Sequence, residues 1–434
     1  MGAIHGHFPL RPFYYLMKKY LLILFSITLP VIMNATDIVE IDGIFYELKP
    51  VKVGTAAVNS DPAVVGYKLY TGALSIPSTI EYDGNTYKVT EINQYAFMGC
   101  RELSSIELPE GLTAIGFGAF DGCSGLTSVN IPSTVTTIKK WAFRDCSGLT
   151  KVCITDIAAW CEITFEDYGN PLYYAHHLFL EDEEITDLII PDNVSIISDR
   201  VFNGFSSLKS VELGSGVVSI GNYAFAWCTS LASIVMPENV KELGSCSFLE
   251  CEALADIRIS GNIEKIGVSS FEKCNSLKTI HIPNGVKEVD AYAFRNCSKL
   301  EKIYIAESVE RIGASAFGNC ENISDVYCFA TIPPIPNTIW YNALSNYFWQ
   351  SYTEYSVLHV PETSVDSYKN AFTWSDFGTI IALTNKETGI SREVVVESFA
   401  RQYYSLDGRI IDAPNRGVNI IRLQNGQTKK VLVK

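Results

Sequence analysis

Leu103-Ser-Ser-Ile106-Glu107-Leu108-Pro109-Glu-Gly-Leu112-Thr-Ala-Ile115-Gly116-Phe-Gly-Ala119-Phe120-Asp-Gly-Cys123 is the stretch that decides the fold. Its closing phrase, Ala-Phe-x-x-Cys, first stands at Ala96-Phe97-Met98-Gly99-Cys100 and returns at a fixed interval almost to the end of the chain. The phenylalanines fall at Phe97, Phe120 and Phe143, then at Phe202, Phe225, Phe248, Phe271, Phe294 and Phe317, with 23 residues between neighbours inside each run. From Phe143 to Phe202 the interval is 59 residues, so one coil there, over 155–190, is rewritten and enlarged. A 23-residue unit is too small to bury its own apolar face and must stack on copies of itself, which predicts a solenoid.

Within the coil, Ile106, Glu107 and Leu108 alternate, and the spacing predicts a short strand whose apolar members point inward. Proline cannot donate to a ladder, so Pro109 closes the strand, as do Pro77, Pro132, Pro191, Pro237 and Pro283 in their own coils. Ile115 then turns inward, and Gly116 (with Gly221, Gly244, Gly267 and Gly313) is read as permitting a tight bend. Ala-Phe carries the chain back, displaced by one strand spacing. The expected body is a β-rich solenoid roughly 50 Å long with one parallel sheet and an internal phenylalanine spine from Phe97 to Phe317.

These residues resemble the BspA-like branch of the bacterial leucine-rich repeat proteins, whose coils carry Leu-x-x-Ile-x-Leu-Pro, then Ile-Gly-x-x-Ala-Phe-x-x-Cys. The resemblance covers roughly Gly72 to Cys328. The enlarged coil, with Trp160-Cys161, Asn170-Pro171-Leu172 and Leu188-Ile189-Ile190-Pro191, is similar to a variant coil of that family. Val201 departs from the pattern at the alanine and Phe205 at the cysteine, while Thr155, Gly214, Ser260 and Ala306 replace the strand-closing proline. The resemblance implies a surface protein with an adhesion role.

The divisions outside the repeat follow from composition and turn chemistry. Residues 1–35 hold Lys18 and Lys19, an apolar run from Leu21 to Ile32 and Ala35, the layout of a secretory signal peptide. Without them the chain has 31 basic and 48 acidic side chains, a net of −17. Residues 385–434 carry +4 and residues 36–384 carry −21, a balance that disfavours nucleic acid and anionic membrane as partners. Residues 36–92 are expected to cap the solenoid, with a hairpin at Asp83-Gly84. The solenoid spans 93–328. Residues 329–384 are expected as the second cap, holding a last strand at Leu358-His359-Val360 and a crowd of Tyr368, Phe372, Trp374 and Phe377. In 385–434, Asp407-Gly408 and Asn425-Gly426 signal two hairpins of a small antiparallel β unit. That unit resembles a short form of the C-terminal sorting tails of type IX secretion.

A search for reactive chemistry returns little. No phosphate-binding glycine loop, nucleophile elbow or His-Glu-x-x-His occurs, and neither a catalytic residue, a metal nor a cofactor is expected. Adjacent His176 and His177 would point to opposite faces of an extended segment, and are expected to be buried in the enlarged coil. Eight of the twelve cysteines (Cys100, Cys123, Cys146, Cys228, Cys251, Cys274, Cys297 and Cys320) recur at the repeat period. Equivalent Cβ atoms on stacked strands stand ~4.8 Å apart, too far for a bridge, so these thiols are expected to stay reduced in a slot that wants apolar volume.

The reading is therefore a secreted cell-surface protein that binds protein or glycoprotein ligands through its strand side. A surface-layer component without a foreign ligand and a glycan binder are the alternatives. If Ile106 and Leu108 point inward, the outward column reads Ser75, Glu107, Asn130, Cys153, Ile189, Glu212, Val235, Arg258, His281, Tyr304, Tyr327 and His359. Its second half, Arg258, His281, Tyr304, Tyr327 and His359, is cationic and aromatic, the residue types in which binding energy concentrates.

Overall fold

A computed structural model describes residues 37–49, 54–60, 70–337, 346–384 and 387, together with the backbone of four strands between 402 and 433. The signal segment and the Asp407-Gly408 and Asn425-Gly426 turns lie outside the described residues.

Each coil contributes a strand of three to five residues with its apolar members buried, as in Ser128–Ile131, Thr279–Ile282 and Lys302–Ile305. These strands pair in parallel and in register, Ile280 beside Ile303 beside Val326. The strand side is hydrogen bonded in three segments. They run from Gly72–Ser75 to Leu178–Leu180, from Asp187–Ile189 to Asp256–Arg258, and from Thr279–Ile282 to Thr379–Ala382.

One parallel sheet was expected, but each coil carries a second rung. Two-residue strands such as Ala114–Ile115, Thr137–Ile138, Ser219–Ile220 and Arg311–Ile312 form their own parallel ladders. One inward isoleucine beside one half-exposed residue is too short a pattern to read as a strand. A third seam joins the coils at the Ala-Phe turn, where the amide of Phe97 donates to the Ala119 carbonyl at 2.7 Å and that of Phe120 to Ala142 at 2.7 Å.

The phenylalanines expected as one spine form two stacks, interrupted at the enlarged coil between Phe143 and Phe202. Phe97, Phe120 and Phe143 stack with centroids 5.0 Å apart, and Phe202 through Phe317 follow at 5.2–5.4 Å, with ring planes within 16° throughout. All nine rings are fully buried, each contributing roughly 1.5–3 kcal/mol by removal from water. Phe348, 31 residues past Phe317, extends the stack at 5.4 Å, a rung that the fixed period hides. The left-handed residues of the turn lie two positions before and after each phenylalanine: Tyr95 and Gly99, Gly118 and Gly122, Trp141 and Asp145, and so on to Ser315 and Asn319.

The repeated glycine answers a different need from the one read in the sequence. Gly116 has no left-handed φ, but a Cβ there would lie 2.6 Å from the backbone of Asn93 in the preceding coil, and one at Gly313 would lie 2.2 Å from the Ala291 nitrogen. The glycines allow coils to approach rather than the chain to bend.

At the N-terminal end, Thr79–Tyr82 and Asn85–Ile92 form the expected hairpin, with Asp83 and Gly84 both left-handed. Tyr70 covers the spine, its ring 5.0 Å from Phe97. At the other end, Val357–Val360 and Thr379–Ala382 continue the parallel strand side, so the segment read as a cap holds two more rungs. Tyr347, Tyr368, Trp374 and Phe377 close the core there, and Tyr347 Oη and Trp374 Nε1 donate to the Pro334 carbonyl at 3.2 and 3.0 Å. Phe372 is exposed and takes no part in that crowd. In the tail, Gln402–Tyr404 pairs antiparallel with Ile410–Ile411, and Gly417–Arg422 with Thr428–Val433.

Candidate functional site

Parallel register carries the alternation of one coil into the next. With Ile280, Ile303, Val326 and Leu358 held inward, His281, Tyr304, Tyr327 and His359 fall side by side on the outer surface of the strands. Their rings stack face to face, with centroids 4.3 Å apart for His281–Tyr304, 4.6 Å for Tyr304–Tyr327 and 4.2 Å for Tyr327–His359. The result is one continuous four-ring column.

The column is not evenly open. Tyr327 and His359 keep only 8% and 7% of their surface exposed, whereas His281 and Tyr304 are half-buried. His359 is clamped between carboxylates, Nε2 3.3 Å from Asp325 Oδ1 and Nδ1 3.3 Å from Glu387 Oε1. Burial pushes the Tyr327 hydroxyl up to about 12, with the Asp325 carboxylate adding to the shift, and raises Tyr304 for the same reasons. Burial lowers the pKa of His281, favouring its neutral form.

Arg258 does not join this column through the ladder. Its strand, Asp256–Arg258, ends the middle segment of the strand side, and hydrogen bonding lapses before Thr279–Ile282. Its guanidinium lies 3.7 Å from Glu238 Oε1. The structure therefore brings four of the five expected site residues together and leaves Arg258 beyond a break. In the first segment, Ser75 Oγ donates to Glu107 Oε2 at 2.9 Å, and the Asn130 amide bonds both backbone groups of Leu108 at 3.0 Å. Cys153 pairs with Phe179, which the sequence column omitted in favour of Ile189. Phe179 lies off the 23-residue period, and the only signal for it was the local alternation Leu178-Phe179-Leu180. Lys151 Nζ sits 4.5 Å from its ring centroid.

In the enlarged coil the helix Ile157–Glu162, capped by Asp156, buries Trp160 and Cys161, and Trp160 Nε1 donates to the Val201 carbonyl at 3.1 Å. His176 and His177 were expected to be buried, but both stay near the surface. His176 takes a left-handed conformation after the short helix Leu172–Ala175 and places Nδ1 2.9 Å from the Gly204 carbonyl, while His177 Nδ1 lies 2.7 Å from Glu184 Oε1. The left-handed residue breaks the extended path on which the expectation rested.

The cysteine ladder serves packing and hydrogen bonding together. Cys123 Sγ donates to the Phe97 carbonyl of the preceding coil at 3.0 Å, and Cys146, Cys228, Cys251, Cys274, Cys297 and Cys320 make the equivalent bond at 3.2–3.5 Å. The slot thus wants a weak donor as well as volume. Burial pushes the Cys146 thiol up to about 12 and Cys328 to about 11, so these groups are poor nucleophiles. Among the described residues no group of three or more His, Cys, Asp or Glu side chains is placed to hold a metal, and no helix is long and apolar enough to cross a membrane.

No curated protein matches the chain. Among solved structures, a leucine-rich repeat protein from Bacteroides ovatus is 22% identical over 80% of this chain and 100% of that one, with a TM-score of 0.40. The pneumococcal vaccine antigen PcpA is 18% identical over 80% and 99%, with a TM-score of 0.48. A leucine rich cell surface protein from Faecalibacterium prausnitzii is 23% identical over 67% and 94%, with a TM-score of 0.34. The profile of the BspA type leucine rich repeat region matches residues 78–168, 175–300, 219–347 and 253–375. With most of its length matched, this chain belongs to the BspA type leucine-rich repeat family.

Proposed function

We propose that this chain is exported, displayed at the cell surface and used in adhesion, binding protein or glycoprotein ligands through the strand side of its solenoid. The observation that carries the reading is the stack of His281, Tyr304, Tyr327 and His359, four aromatic rings placed outside a core that is already complete without them. Stacking covers both faces of Tyr304 and Tyr327. The edges of His281 and Tyr304 are what a ligand would meet, and Tyr327 and His359 hold them in place. Export rests on residues 1–35 as a signal peptide, and surface retention on residues 385–434 as a sorting tail.

The test is a binding screen of the chain from residue 36 onward against immobilised matrix proteins and whole bacterial cells. A double variant, His281→Ser with Tyr304→Ser, should lose binding while its melting temperature falls by only a few degrees; Tyr327 is left in place because its ring is buried in the stack. Undiminished binding by that variant would remove the assignment.

A further inference from the structure

The enlarged coil builds a second feature, remote in kind from the strand side. The short helix Leu172–Ala175 lies over the next coil so closely that a Cβ on Gly204 would come within 2.8 Å of the Tyr173 Cα. An open groove of about 390 Å³ results, lined by Tyr173, Trp227, His176, Ser147, Ser206 and Thr229 among others. The Tyr173 and Trp227 rings meet at 84° with centroids 6.0 Å apart, making a floor and a wall. Tyr223 lies parallel to Trp227 at 6.3 Å, and Tyr168, 58% exposed, stands edge-on to Tyr173.

Trp227 is out of pattern. It occupies the left-handed position two residues after the coil phenylalanine, where other coils place Gly99, Gly122, Asp145, Gly204, Glu250, Lys273, Asn296 and Asn319, so it is the one aromatic ring at that position. Here a bulky ring accepts that backbone (φ 61) while the core beneath is filled by Phe225 and Cys228. The left-handed backbone belongs to the repeat; what is particular to Trp227 is a ring set outside the core, against Tyr173 and Tyr223.

The polar groups narrow the class. The Gly204 carbonyl can only accept, so His176 Nδ1 donates to it. Three hydroxyls, Ser147, Ser206 and Thr229, complete the rim, and the lining contains no Asp, Glu, Lys or Arg. An aromatic face with a hydroxyl and imidazole rim and no charge suits a neutral molecule with one apolar C–H face and a hydroxylated edge. We propose that this groove is a binding subsite for neutral sugars, sized for one or two pyranose rings.

The proposal does not rest on the strand-side reading. Its test is saturation-transfer NMR and tryptophan fluorescence titration of the chain with cellobiose, maltose, lactose and N,N′-diacetylchitobiose. At least one sugar should bind, and Trp227→Asn should weaken it by about tenfold or more. Asn suits the left-handed site, so that variant should melt no lower than the parent. Tyr173→Ala should weaken the same sugar, and the His281→Ser, Tyr304→Ser variant should bind it normally. Binding of none of the four sugars, equal binding by Trp227→Asn, or a proline-rich peptide taking the groove in their place would each overturn it.

Discussion

Replacing Phe271 with Ala removes a ring from the middle of the spine. Phe271 is fully buried, 5.4 Å from Phe248 on one side and 5.2 Å from Phe294 on the other. Truncating a buried phenylalanine costs about 3–5 kcal/mol. Loss of two stacked pairs at once places this site toward the upper end, because each aromatic pair contributes about 0.5–1.5 kcal/mol beyond its area. Phe143 is the internal control. It stacks on Phe120, but its next coil is the enlarged one, so Phe143→Ala should cost less by roughly one pair, about 0.5–1.5 kcal/mol. The assay is equilibrium urea unfolding followed by far-ultraviolet circular dichroism, fitted with nearest-neighbour coupling because repeat arrays depart from two-state behaviour. A cost under about 1 kcal/mol at Phe271 would refute the reasoning, since only an exposed or loosely held ring is lost so cheaply.

Other expectations follow from single contacts. Gly313→Ala forces a Cβ against the Ala291 nitrogen and should be far more damaging than Gly99→Ala, where the space is open and only the left-handed φ costs, about 1–2 kcal/mol; thermal melts of the two variants would rank them. Iodoacetamide should reach half-exposed Cys153 and Cys246 in the native chain, and all eight ladder thiols only in denaturant without reductant, read by intact mass; ladder cysteines oxidised in pairs would overturn the packing argument. Burial holds His281 below its ordinary 6.5, so the unfolded chain binds more protons there; stability is complete above that value and falls as pH drops below it, and His281→Gln should flatten the acid-side fall in melting temperature. Deleting residues 391–434 should leave the solenoid folded by circular dichroism yet remove surface display, and unchanged display would dispose of the sorting role.

The fold was legible because its strongest signals are local and repeated. Phe120 and Cys123 return at a fixed spacing, and Ile106-Glu107-Leu108 alternates plainly. What escaped was set by contacts between coils. Gly116 looks like a bend until the Asn93 backbone is seen against it, and Ile115 gives no hint that it belongs to a second ladder. Phe348 and Phe179 were hidden because insertions moved them off the period. Of the candidate site, the column His281, Tyr304, Tyr327 and His359 was readable from register alone. Its closure at one end by Glu387 was not, because that contact comes from 28 residues further along the chain than His359. The groove beside Trp227 carried no sequence motif; its one clue was an aromatic residue where the other coils use Gly, Asp, Asn, Glu or Lys.

The central claim, that the strand side contacts the ligand, is tested most directly by photo-crosslinking. The photoreactive residue p-benzoylphenylalanine would be placed at Tyr304, on the strand side, and separately at exposed Lys287, beside the short strand Glu288–Val289. Irradiation with a ligand from the binding screen should give an adduct from position 304 and none from 287. An adduct from 287 alone, or from neither position, would contradict the account.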